Sequence, residues 1–203
     1  NTTKLTVCTT ILQLVTSSFA AYAFAKLEFK GRDTIFMMYV LTIAIPWQVY
    51  MLPQYSLMNT FGLVDTHLGY ILMQSFNAFG VFLMRQAFIS IPDELLEAAR
   101  IDGLSEYGIY AKIMLPLSKA SITTLVIFTF VTIWNDYMGP MIYFNTETNK
   151  TIQLGIRMFI GQYSTEYGLV MAVSVLALLP VLIIFLIGQK QFVQGVASSG
   201  IKG

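Results

Sequence analysis

Residues 168–187 read GLVMAVSVLALLPVLIIFLI, a run without one charged side chain. A helix rises about 1.5 Å per residue, so about 20 apolar residues cross the hydrocarbon core of a bilayer. A soluble core needs no such run. Four more apolar stretches lie upstream, roughly Leu5–Ala25, Thr34–Pro53, Leu68–Met84 and Ser121–Phe144. The 203-residue chain is 56% hydrophobic and 11% charged, where soluble domains carry roughly 25% charged residues. The expectation is an all-α integral membrane protein, one polytopic helical bundle over 1–203 with five visible spans. Pro46, Pro53 and Pro180 fall in or at the end of these spans, where the missing N–H predicts kinks.

Charge distribution predicts the orientation. Because the spans alternate, the segments between them fall into two sets. One set holds Lys26, Lys30, Arg32, Arg85, Arg100, Lys112, Lys119, Lys190 and Lys202, and the other only Lys4, Lys150 and Arg157. Lys and Arg favour the cytoplasmic face. The segments 26–33 and 85–120 and the tail 188–203 are therefore expected on the cytoplasmic side of a cell membrane. Five spans with the C-terminus inside put residue 1 outside, and a sixth span ahead of it is expected. The net charge of +1 offers no basic surplus for nucleic acid. Cys8 is the one cysteine and His67 the one histidine. That excludes an intrachain disulfide and leaves no metal-ligand spacing.

The long segment 85–120 carries local structure of its own. Ser90 is placed to cap a helix, Pro92 suits its first turn, and Asp93 and Glu94 suit its positive end. Gly103 can end it in a left-handed turn. Ser105 can cap a second helix from Glu106 to about Leu115, with Pro116 stopping it. Leu95, Ala98, Ala99 and Asp102 lie close to one face of the first helix. A helix lying on lipid is usually rich in Lys and Arg, whereas Asp93–Asp102 holds Asp93, Glu94, Glu97 and Asp102 against Arg100 alone. The pattern suits docking to a separate protein.

Glu97-Ala98-Ala99, then Gly103, then Ile113-Met114-Leu115-Pro116 resembles the loop of binding-protein-dependent ABC importer permeases, with every spacing kept. Ile91-Pro92 and Asp102 are similar too. Trp134-Asn135-Asp136-Tyr137 with Pro140, Thr151–Gly155, Gln191–Gly195 and Gly200-Ile201-Lys202-Gly203 resemble the maltose-type carbohydrate permeases. The resemblance implies a type I importer fold. It implies a pair of permease subunits, heterodimeric or homodimeric with a heterodimer expected, two ABC ATPase subunits and an extracytoplasmic solute-binding protein. It also implies that Glu97, Ala98, Ala99, Asp102, Gly103, Ile113, Leu115 and Pro116 couple to the ATPase, and that Gly200, Lys202 and Gly203 of the tail contact it.

The chain has no phosphate loop of the Gly-x-x-x-x-Gly-Lys-Ser/Thr type and no Ser-His-Asp or His-Glu-x-x-His arrangement. No catalytic residue and no cofactor are expected here, and ATP with Mg is assigned to the partner ATPase. Polar groups inside spans are costly and usually functional. Gln48, Gln74, Asn77, Asn135 and Asp136, with Trp134 and Tyr137 as ring faces, are candidates for a sugar pathway. An aromatic belt at the membrane interface and a structural pairing of Asp136 are the competing readings. Two other functions remain open at this point: the same importer class with glycerol phosphate, oligopeptide or an anion as substrate, and a channel or membrane enzyme.

Overall fold

In the computed structural model, backbone is described for residues 1–161 and 166–200 and side chains to residue 190. Among the described residues every regular element is helical. The helices are α1 (Thr2–Lys26), α2 (Arg32–Leu41), α3 (Trp47–Thr60), α4 (His67–Gln74), α5 (Ala78–Ile89), α6 (Asp93–Ile101), α7 (Glu106–Ile109), α8 (Leu115–Leu117), α9 (Lys119–Trp134), α10 (Met138–Tyr143), α11 (Ile152–Met158) and α12 (Tyr167–Gly200).

All five apolar stretches form helix, but three of them are broken rather than continuous. The second stops at Ile45, whose extended backbone (φ −86°, ψ 111°) is what a residue before proline adopts. The stretch is thus two helical segments, Arg32–Ala44 and Trp47–Thr60, with the break at Ile45 and Pro46. Pro53, expected to end this span, lies inside α3. The third stretch breaks between α4 and α5, where the Asn77 side chain accepts from the Gly80 N–H at 3.1 Å and caps α5. The fourth breaks after Trp134, where Asp136 Oδ1 accepts from the Gly139 N–H at 3.0 Å. Among the described residues two helices, Thr2–Lys26 and the stretch Tyr167–Lys190 of α12, are long and apolar enough alone to cross a membrane, and up to four if each bent pair is one span. Helix α12 continues past the last apolar run to Gly200, so the described part of the tail is helical.

The chain divides into two compact units. The first comprises Asn1–Leu12, Pro46–Ser75 and Ile127–Ile187. Its core gathers Leu5, Tyr70, Ile133 and Phe144. Trp134 stacks on Phe130 with ring centroids 5.6 Å apart, and its indole N–H donates to the Ala177 carbonyl at 2.8 Å.

The second unit comprises Gln13–Ile45, Phe76–Val126 and the described residues from Gly188 onward. Its core holds Ala21, Tyr22, Val81, Met84, Phe88, Leu96, Ile109 and Met114, among others. Gly80 lets α5 approach closely: a Cβ there would lie 2.5 Å from Ser17 Oγ and 3.2 Å from Leu125. Small residues at such crossings are how apolar helices pack without a hydrophobic driving force.

Candidate functional site

The segment after α5 is built as a helix pair. Ser90 does not cap α6 as expected; its hydroxyl donates to the Ala87 carbonyl at 2.7 Å and closes α5. Pro92 takes the cap position of α6 and offers no side-chain bond. The first turn of α6 is instead held by Lys26, whose ammonium donates to the Ile91 carbonyl at 2.7 Å and to Asp93 at 2.5 Å. At the other end Gly103 has φ +82°. The Leu104 N–H donates to Ala99 O and the Gly103 N–H to Arg100 O, at 2.9 and 3.0 Å. This is the paired closure that ends helices at a left-handed glycine. Nothing lies within 4 Å of where a Gly103 Cβ would sit, so the constraint is backbone conformation and the space outside is open.

Ser105 caps α7 as expected, its Oγ accepting from the Gly108 N–H at 3.2 Å. Pro116 does not stop the helix. The turn Tyr110–Met114 widens to i→i−5 bonding, the Leu115 N–H reaching Tyr110 O. A shifted register accommodates a residue with no N–H to give. The helix then runs to Leu117, and the segments Glu106–Leu117 and Lys119–Trp134 meet at 80°.

Two faces result. Inward, Leu96 (1% exposed) and Ala99 join the core, and Ile113 and Leu115 pack half-buried against it. Outward lie Leu95, Ala98, Ile101 and Tyr107, the last two 86% and 77% exposed. Glu94, Glu97 and Asp102 surround them, all exposed, as is Pro116. The expected grouping of Ala99 with Leu95, Ala98 and Asp102 is therefore corrected: successive residues sit about 100° apart at 3.6 per turn, and Ala99 turns inward with Leu96. Ile101 and Tyr107 were not read as functional. The spacing 95, 98, 101 was the available signal.

Glu106 is shared. Its carboxylate accepts from Arg100 Nε at 2.8 Å and from the Tyr22 hydroxyl. The Arg100 guanidinium, and after it the Tyr22 hydroxyl, hold this carboxyl below its usual range.

Several pathway candidates are engaged by the chain's own groups, and two of them, Gln74 and Asp136, both bond to Tyr70. Trp134 is buried and its N–H is committed to Ala177. Asp136 uses both oxygens, accepting from Tyr70 OH at 2.6 Å and from the Gly139 N–H. Asn77 caps α5. Asn135 and Gln48 are exposed, Asn135 accepting from Gln153 at 3.3 Å. Gln74 and Tyr137 are half-buried. Gly200 is the last described residue of α12, and Lys202 and Gly203 lie outside the described residues.

A further feature escaped the sequence reading. Asp65, at φ +58°, accepts from the backbone N–H groups of Asn145 and Thr146, the Thr146 hydroxyl and the Asn149 amide. These donors, the Thr146 hydroxyl first, pull its carboxyl down to about 2.

Comparison with known proteins agrees with this architecture. The family profile described as binding-protein-dependent transport system inner membrane component matches residues 13–198. The arabinooligosaccharides transport system permease protein AraQ of Halalkalibacterium halodurans is 34% identical over 203 residues, 100% of this chain and 73% of that protein. The lactose transport system permease protein LacG of Rhizobium radiobacter is 36% identical over 199 residues, 98% and 73% of the two chains. A crystal structure of a bacterial ABC transporter involved in the import of the acidic polysaccharide alginate superposes with a TM-score of 0.85 at 27% identity, over 95% of this chain and 73% of that one.

Proposed function

The chain belongs to the binding-protein-dependent transport system inner membrane component family, the permease subunits of ABC importers, and on that premise we propose that it carries a mono- or oligosaccharide and docks its ATPase through α6. Subunits of this family are not themselves catalytic. ATP, with Mg, is hydrolysed in separate ATPase subunits, and an extracytoplasmic binding protein delivers the sugar to a heterodimer of this chain with a second permease. The whole chain acts as one transmembrane domain, with 85–120 as its coupling loop and 188–203 as a tail at the ATPase side. The loop and the C-terminus face the cytoplasm, which the Lys and Arg distribution supports.

The observation that carries the docking is the exposed face of α6 and α7. Exposed apolar groups rimmed by polar ones mark interaction sites, and Leu95, Ala98, Ile101 and Tyr107 are surrounded by Glu94, Glu97 and Asp102. A lipid surface would want basic side chains there. The sugar is supported by the names of the relatives, which concern arabinooligosaccharides and lactose.

The test is uptake into vesicles holding the permease pair, the ATPase and the binding protein, with labelled arabinotriose, lactose and sn-glycerol 3-phosphate as probes. ATP-dependent accumulation of a saccharide is expected. Accumulation of glycerol 3-phosphate alone would overturn the sugar assignment, and flux independent of ATP would overturn the importer.

A further inference from the structure

Ser18, Tyr22 and Lys26 follow one another at i, i+4 and i+8, so they form a single stripe on α1. Each bonds to the coupling loop. Ser18 Oγ and Tyr110 OH lie 2.6 Å apart. The Tyr22 hydroxyl donates to Glu106, which opens α7. Lys26, its side chain 4% exposed, donates to Asp93, which opens α6, and to the Ile91 carbonyl two residues before it. Rings reinforce the stripe: Phe19 stacks on Tyr110 at 4.4 Å, and Tyr22 meets Tyr110 and Phe88 edge-on at 5.6 and 6.4 Å.

Both loop helices are thus gripped at their first turns by a third helix that the chain does not join to them directly. The loop is covalently continuous only with α5 and α9. A loop joined to two spans alone could pivot about those joints when displaced. Ties to a third helix at two separated points remove that freedom. Arg100 extends the link: it sits in the last turn of α6 and donates to the same Glu106 carboxylate that Tyr22 bonds. The two ends of α6 and the start of α7 are therefore referred to one helix.

We propose that Tyr22 and Lys26 are positioning residues for coupling, fastening the loop to α1 so that its displacement by the ATPase is delivered to α1 as well as to α5 and α9. The inference rests on the docking reading above. A purely structural role is separable from it. Tyr22→Phe removes one oxygen and keeps the ring against Phe88 and Tyr110. Lys26→Met keeps the apolar stem, and the Asp93 carboxylate it leaves behind is 75% exposed and is taken up by water rather than stranded in the core.

The experiment uses the full complex in vesicles and reads two quantities: the ATPase retained through purification, and ATP hydrolysis with and without the binding protein. Both variants should retain the ATPase like the native chain. Their ratio of stimulated to basal hydrolysis should fall on the order of fivefold, the size of a modest coupling energy between sites. Tyr22→Phe combined with Glu106→Ala should fall no further than Glu106→Ala alone, since that change already removes the acceptor that Tyr22 and Arg100 share. A native ratio in both Tyr22→Phe and Lys26→Met would overturn the proposal. So would loss of the ATPase from either, because the ties would then only shape the docking face. Failure of the docking reading looks different: it is full ATPase retention when Ile101 on the outward face is changed.

Discussion

The two units use their polar side chains in opposite ways. In the first, Asp65 and Asp136 accept from neighbouring groups of the fold, Asp65 closing the 144–150 segment and Asp136 joining Tyr70 to the start of α10. In the second, the acids divide. Asp93 and Glu106 tie the loop to α1, while Glu94, Glu97 and Asp102 stay exposed around Leu95, Ala98 and Ile101. A carboxylate with all its acceptors engaged holds a fold. One left at the edge of an exposed apolar patch is available to a partner. This contrast separates residues that look alike in the sequence.

The largest expected effect tests the inward half. Asp136→Leu leaves the buried Tyr70 hydroxyl and the Gly139 N–H without their acceptor, at a cost of about 1–3 kcal/mol for each group left unpaired. The yield of folded protein in the membrane should drop severalfold, measured by size-exclusion recovery in detergent. Full recovery with impaired uptake would return Asp136 to the sugar pathway and break the comparison.

A smaller effect is expected at Asp65. Asp65→Ala should free the amides of Asn145 and Thr146 to exchange hydrogen several times faster. The pH dependence follows from the sign of the shift. Asp65 has a folded value near 2, below an unfolded value of about 3.9, so its contribution is complete above the unfolded value and is lost as pH falls through the folded one. Protection of these two amides should persist at neutral pH and disappear between about pH 4 and 2. Unchanged exchange in Asp65→Ala would show that the segment is held by other contacts.

The helical class and the outline of the 85–120 loop could be read in advance because their signals are local. Apolar runs, the Ser105 cap and the left-handed turn at Gly103 need no tertiary knowledge. The breaks at Asn77 and Asp136 could not be read, because a polar group inside an apolar run looks the same whether it caps a helix or lines a passage. Backbone groups freed at membrane depth must be satisfied internally, and these side chains do it. Pro116 sits inside the helix because the wide turn at Tyr110–Met114 absorbs the proline, a register shift that a residue-by-residue pattern does not show. Lys26 was counted only as a surface charge. Its pairing with Asp93 joins residues 67 positions apart in sequence, which no local pattern records. Ile101 is an apolar residue whose exposure becomes visible only once the buried face is known.

The central claim is that the outward face of α6 and α7 receives the ATPase, and Ile101→Glu tests it most directly. Ile101 is 86% exposed, so the substitution removes nothing from the chain's own core and adds a charge at the middle of the proposed contact. Co-purification of the ATPase with this variant should fall on the order of tenfold, equivalent to about 1.4 kcal/mol of lost docking energy, with uptake falling in step and the permease still inserted. Full recovery of the ATPase together with native uptake would contradict the account.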